Sequence, residues 1–205
     1  MQFKNFIDKI LSQPTKIKLL RFFVDSRPEM TGRELAKFCD VSHMQVYRIL
    51  DALQSQGVVK KRQVAGAYLY TLNEKNVIVK NILIPLFQKE KNFLDEILKQ
   101  LLNRITKKVL SIVVFGSVAE GRERPTSDVD IFILTKNKTA AISIRDILSE
   151  AETTFYEKTG NRLSPIILSV GELRKKSNTN KTLISKILSG RVIVGKSPKD
   201  FIYGK

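Results

Sequence analysis

Apolar positions fall at helical steps three times in the first third of the chain. Behind Pro14, a residue suited to a first helical turn, Ile17, Leu19, Leu20, Phe23 and Val24 predict a helix that Pro28 and Gly32 interrupt. Thr31 with Glu34 three residues on is the pattern of a capping box, and Leu35, Ala36 and Phe38 are expected on the buried side of a second helix. Ser42 is expected to cap a third helix, buried through Val46, Ile49, Leu50 and Leu53 and ended by Gly57. The β-rich runs 58–63 and 68–72, joined at Ala65-Gly66-Ala67, predict a hairpin.

Residues 76–108 continue at three- and four-residue steps, through Ile82, Leu83, Leu86 and Phe87 and then Leu94, Leu98, Leu101, Leu102 and Ile105. This pattern predicts an amphipathic helical connector that Pro85 either kinks or divides. Farther on, the apolar runs 112–115, 131–134 and 163–168 read as short strands, with Pro165 arguing that the last either lies at a sheet edge or starts late. A helix is expected over 139–158, one or two more over 171–189, and a short strand over 190–195. The chain is therefore read as α+β and multi-domain: 1–75, a connector 76–108 with a possible role in dimerisation, and 109–205, an α/β domain with a small mixed sheet.

Composition narrows the setting. A hydrophobic share of 42% over 205 residues is enough for packed cores. The single cysteine, Cys39, excludes an internal disulfide framework and is expected as a buried small hydrophobe in a reducing compartment. No apolar run reaches about 18 residues, so no membrane span is expected. The start, 1–10, lacks the apolar core of a signal peptide, which makes the cytoplasm the expected location. Formal net charge is +16, which favours a polyanionic or acidic partner without choosing among them. His43 is the only histidine, so neither a histidine metal site nor a serine-type triad is available.

The candidate chemistry lies in 111–134. The first buried run stops at Gly116-Ser117, where glycine permits a sharp turn and Ser117 is expected to cap a short helix, leaving N–H groups for phosphate. Before the second run stand Ser127, Asp128, Val129 and Asp130, and the alternation of a strand puts both carboxylates on one face. Two adjacent carboxylates repel unless a cation joins them, and Mg²⁺ prefers oxygen ligands.

Gly116-Ser117 followed by Ser127-Asp128-Val129-Asp130, each attached to its strand, resembles the nucleotidyltransferase superfamily of DNA polymerase beta, in particular its minimal branch. The resemblance covers about the last 120 residues. It implies Mg²⁺ with a nucleoside triphosphate, ATP being the expected one. Asp128 and Asp130 are then metal-binding and catalytic, and Gly116, Ser117, Arg122 and Ser127 nucleotide-binding, with Arg124 a second candidate for the tail phosphates. Active members usually carry a third acid on the next strand, where this chain has Leu163, Ser164, Ile166 and Leu168.

The first third, helix–helix–turn–helix–hairpin with 41–50 as its third helix, resembles the winged helix-turn-helix domain of bacterial and archaeal regulators. That resemblance implies DNA contacts by Ser42, His43, Gln45, Tyr47 and Arg48 and by the wing residues Lys60, Lys61 and Arg62. Three functions follow as expectations. The first is a DNA-binding transcriptional regulator, homodimeric, whose second domain binds Mg-NTP with catalysis weakened or lost. The second is an active nucleotidyltransferase acting on a protein, nucleic acid or small-molecule hydroxyl, the related branch including antitoxins that modify a partner toxin protein. The third is an interaction module that has lost its chemistry.

Overall fold

A computed structural model describes residues 4–204; the first three residues of the start read above, and residue 205, lie outside the described residues. The chain divides into two compact units, one ending at Phe93 and the other beginning at Leu94. Among the described residues no helix is long and apolar enough to cross a membrane.

The N-terminal unit runs α1 (Phe6–Ile10), α2 (Pro14–Ser26), β1 (Met30–Thr31), α3 (Gly32–Cys39), α4 (His43–Ser55), β2 (Val59–Val64) and β3 (Ala67–Leu72). Its three strands pair antiparallel in the order β1-β3-β2. Thr31 and Glu34 form the capping box in both directions, and Ser42 caps α4 by accepting from the Gln45 N–H. The hairpin turns on two residues rather than three: Ala65 and Gly66 both take positive φ, the mirror-image geometry that matches strand twist. Phe38 departs from expectation. It is 48% exposed and stacks on Phe22, while Cys39 fills the buried position. Lys16 is a buried residue of α2, its ammonium donating to the Lys9 carbonyl (2.8 Å) and the Ser12 hydroxyl (3.2 Å).

The connector is a π-helical turn, Val79–Leu83, leading directly into α5 (Ile84–Leu101). Pro85 is the second residue of α5 and directly follows the π-helical turn, so the helical run passes through it without the N–H that position would otherwise donate. The division between the units falls within this helix.

The C-terminal unit continues with β4 (Ser111–Phe115), α6 (Gly116–Ala119), β5 (Val129–Thr135), α7 (Lys138–Ile142), α8 (Arg145–Thr159) and β6 (Leu163–Ser169). It closes with α9 (Val170–Thr179), α10 (Lys181–Ser189), β7 (Arg191–Gly195) and α11 (Pro198–Tyr203). The sheet is mixed, in the order β6-β5-β4-β7: β5 and β6 are parallel, the other pairs antiparallel. The helix expected over 139–158 is two, broken between Ile142 and Arg145.

Both faces of this sheet are covered, which is why β4 and β5 read as almost unbroken apolar runs. Ile112, Val114, Ile131 and Ile133 pack with Leu98, Leu102, Leu148 and Phe155 on one face. Val113, Phe115, Phe132 and Leu134 pack with Leu173, Ile184 and Ile187 on the other. Each such side chain contributes about 1.5–3 kcal/mol when fully buried. Strand alternation places Asp130 on the second face, in line with Phe132 and Leu134.

Candidate functional site

The site forms where β4 ends and β5 begins. Phe115 closes β4 opposite Asp130 in the antiparallel register and serves as the N-cap residue of α6. Gly116 follows with φ of 74°, and a Cβ there would overlap the Asp130 Oδ2 and come within 3.2 Å of its Cγ. Only glycine combines that backbone geometry with that approach. Ser117 is thus the second residue of α6, not its cap, and the helix has no side-chain cap at all. The reason is that the turn is made one residue earlier than the Ser-cap pattern suggests, at Gly116.

The loop back to β5 is held by short-range bonds. The Ser117 carbonyl accepts from the Arg122 N–H at 2.9 Å, and Arg122 itself pairs with Glu120. The Arg124 N–H donates to the Ser127 hydroxyl (2.9 Å), while the Ser127 N–H donates to the Arg124 carbonyl (2.9 Å). Asp128 emerges from this turn exposed, and Asp130 is half-buried. Burial raises the Asp130 carboxyl above its ordinary pKa, the Asp128 charge adds to the rise, and Lys186 on α10 opposes it. The carboxylates therefore interact electrostatically, and the Lys186 charge, which sequence spacing did not single out, acts on Asp130.

No acid stands on β6 opposite the pair. The parallel register sets Ser164 against Asp130. Glu172, the nearest later acid, is occupied in a capping box, accepting from the Ser169 N–H (2.9 Å) and hydroxyl (2.7 Å). Among the described residues no group of three or more histidines, cysteines or acids is placed to hold a metal. Two carboxylates still fit one Mg²⁺, because this ion commonly takes one or two carboxylates and completes its shell with water and substrate phosphate oxygens.

A second residue outside the expected set is Asn161, just beyond α8. Its Nδ2 donates to the carbonyls of Pro125 and Ser127, both at 2.9 Å. The Gly160-Asn161 turn is visible in the sequence; the reach of its amide to a loop 34 and 36 residues earlier is not.

The residues expected on DNA lie in the N-terminal unit. Ser42, His43, Gln45, Tyr47 and Arg48 are exposed along one side of α4, although Tyr47 lies against Gly32 and the Gln45 amide donates to Thr15 Oγ1 at 3.3 Å. Lys60 is exposed on β2. Lys61 lies over the Tyr68 ring at 4.0 Å, and Arg62 is paired with Glu29 at 2.5 Å. Two of the three wing cations therefore already have partners.

Comparison with known proteins bears on the C-terminal unit. The family model described as polymerase beta, nucleotidyltransferase matches residues 95–199. A curated protein of Methanocaldococcus jannaschii, named "Putative protein adenylyltransferase", is 33% identical over 104 residues, spanning 50% of this chain and 69% of that one. Among solved structures, TrmBL2, titled an archaeal chromatin protein with a novel mode of DNA binding, covers 86% of this chain and 73% of its own at 17% identity. Its TM-score is 0.28, a likeness on which neither fold nor function rests. The family match and the curated relative thus support the transferase expectation ahead of the regulator.

Proposed function

The chain belongs to the polymerase beta nucleotidyltransferase family, and from that premise we propose that it transfers AMP from ATP to a hydroxyl on a protein, with Mg²⁺ as the cation. The observation that carries the reading is the packing of the Gly116 backbone against the Asp130 carboxylate, which brings an uncapped helical turn and a carboxylate pair to one place. The adenylyl group and the protein acceptor are taken from the relative's name.

In this reading Asp128 and Asp130 hold the ion, and the backbone of Gly116 and Ser117, with Ser127 and Arg122, orients the triphosphate. Bound Mg²⁺ supplies charge neutralisation on the phosphate oxygens. The acceptor oxygen forms a bond to the α-phosphorus, the bond to the bridging oxygen breaks, and pyrophosphate leaves. Because Ser164 stands where a base would, the acceptor proton passes to water, and the step proceeds roughly 10²–10⁴-fold below one with a positioned base. The test is incubation with α-labelled ATP, Mg²⁺ and candidate acceptor proteins. Label on a protein, absent with Asp128→Asn/Asp130→Asn, is expected; label transfer that survives the double change would remove this site from the reaction.

A second reading concerns the N-terminal unit, proposed as a winged helix that binds DNA. It is supported by the order α2, α3, α4, β2, β3 and by the exposed polar side of α4. Homodimerisation through the connector belongs with it, supported by exposed Ile82, Leu86 and Phe93 at helical spacing. A toxin as the modified partner rests on the family resemblance alone.

A further inference from the structure

Asp128 is the exposed member of the carboxylate pair and sits at the end of a loop rather than within the strand. Its charge repels that of Asp130. Left to itself, such a loop relaxes so as to separate the two charges. Something must hold it in place before any cation arrives.

Three hydrogen bonds do so, all from one turn. The Asn161 amide nitrogen spends both its hydrogens on the carbonyls of Pro125 and Ser127, at 2.9 Å each. One residue on, the Arg162 carbonyl accepts from the Val129 N–H at 2.8 Å. Residues 125, 127 and 129 are thereby tied on both sides of Asp128. Asn161 is itself fixed: its backbone N–H donates to Thr159 Oγ1 (3.1 Å), whose hydroxyl donates to the Phe155 carbonyl (2.8 Å) in the core. The amide orientation is unambiguous, since the reversed amide would set its oxygen against two carbonyl oxygens.

We propose that Asn161 is the positioning residue of the ion site: it holds the 125–129 loop so that Asp128 stays beside Asp130 against their mutual repulsion. The proposal rests on the assignment of Asp128 and Asp130 to the cation. An asparagine is required because the position needs two donors on one short side chain. Aspartate has the same shape with no donor, and alanine leaves the carbonyls to water.

The test compares wild type, Asn161→Asp and Asn161→Ala by titration with Mn²⁺ and ATP, and by hydrogen exchange at the Ser127 and Val129 amides. The expected result is a tenfold or larger rise in the apparent Kd for Mn²⁺-ATP in both variants. Binding stoichiometry should remain that of wild type, high Mn²⁺ should restore nucleotide binding, and exchange should quicken at 127 and 129. A purely structural role would instead lower the binding-competent fraction at unchanged Kd, and that result overturns the proposal. Wild-type affinity in both variants overturns it while leaving the transferase reading intact. No Mn²⁺-ATP binding by wild type overturns the transferase reading, and quickened exchange in the variants would then leave Asn161 only a loop clamp, with no ion site to position.

Discussion

Gly116 and Asp130 meet backbone to carboxylate, so that the space a methyl group would need at residue 116 is already filled by Asp130 Oδ2. The positive φ of 74° makes the same demand independently. Gly116→Ala is expected to cost about 1–3 kcal/mol, the scale for a side chain forced into that backbone region. For a chain of this size that lowers Tm by roughly 2–4 °C per kcal/mol. It should also displace Asp130 and abolish Mg-dependent ATP binding. A thermal melt and a calorimetric titration of the one variant read both effects, and retained ATP affinity would mean that the contact is no part of the site.

Asp130→Asn is expected to separate binding from stability. Burial first, and Asp128 second, disfavour the ionised Asp130 carboxyl, so the neutral amide removes an unfavourable charge. At pH 7 without divalent ion the variant should melt above wild type while losing Mg-dependent nucleotide binding. A lower Tm would show that the carboxylate is stabilising where it stands.

Glu172 tests the opposite sign. Hydrogen bonds from the Ser169 backbone N–H, then from its hydroxyl, hold the Glu172 carboxyl below its ordinary pKa. A depressed folded pKa contributes stability above the unfolded value, near 4.3, which is lost as pH falls through the folded value. Glu172→Gln should therefore melt below wild type at pH 7, and the gap should narrow as pH falls below about 4. Mg-ATP affinity should not change, because this acid is committed to the start of α9. Loss of affinity would make it the missing third ligand.

If the N-terminal unit binds DNA, its cations will not contribute alike. Arg48 projects from the exposed side of α4, whereas Arg62 is already paired with Glu29. Arg48→Ala should weaken binding to duplex DNA by about 1–3 kcal/mol if it reads a base edge. If it contacts phosphate, the salt slope should instead fall by about one. Arg62→Ala should change little. Anisotropy titrations at two salt concentrations distinguish these outcomes, and equal losses from both variants would argue for a diffuse basic surface.

Much of this was legible in the sequence because it is local. The Thr31–Glu34 capping box and the Gly57 helix end each need only a few neighbouring residues and stand where the spacing placed them, whereas of the two carboxylates Asp130 lies in β5 and Asp128 falls in the loop before it, where strand alternation does not set its side. Pro165 left two readings, an edge strand or a late start, and β6 takes the first, running from Leu163 as an outer strand. What was not legible depends on distant partners. β1 is two residues long and exists because Leu69 and Tyr70 pair with it. Cys39 is buried as expected, but Phe38, one helical step away, is exposed against Phe22, an outcome that only the packing around it decides. Ser117 failed as a cap because the preceding glycine had already made the turn. Lys186 acts on the Asp130 charge from a helix more than fifty residues later, with no local pattern to announce it.

The proline at residue 165 has a consequence for how the molecule survives crowding. β6 is one of the two outer strands of the four-stranded sheet, a row of backbone groups on which a foreign strand can extend the ladder. Pro165 lies mid-strand, opposite Ile131, and has no N–H to offer. A strand arriving from another molecule finds the donor row interrupted at its centre, beside the apolar run Ile166 to Leu168 that would otherwise invite it. The interruption blunts that edge as a surface for pairing with another chain.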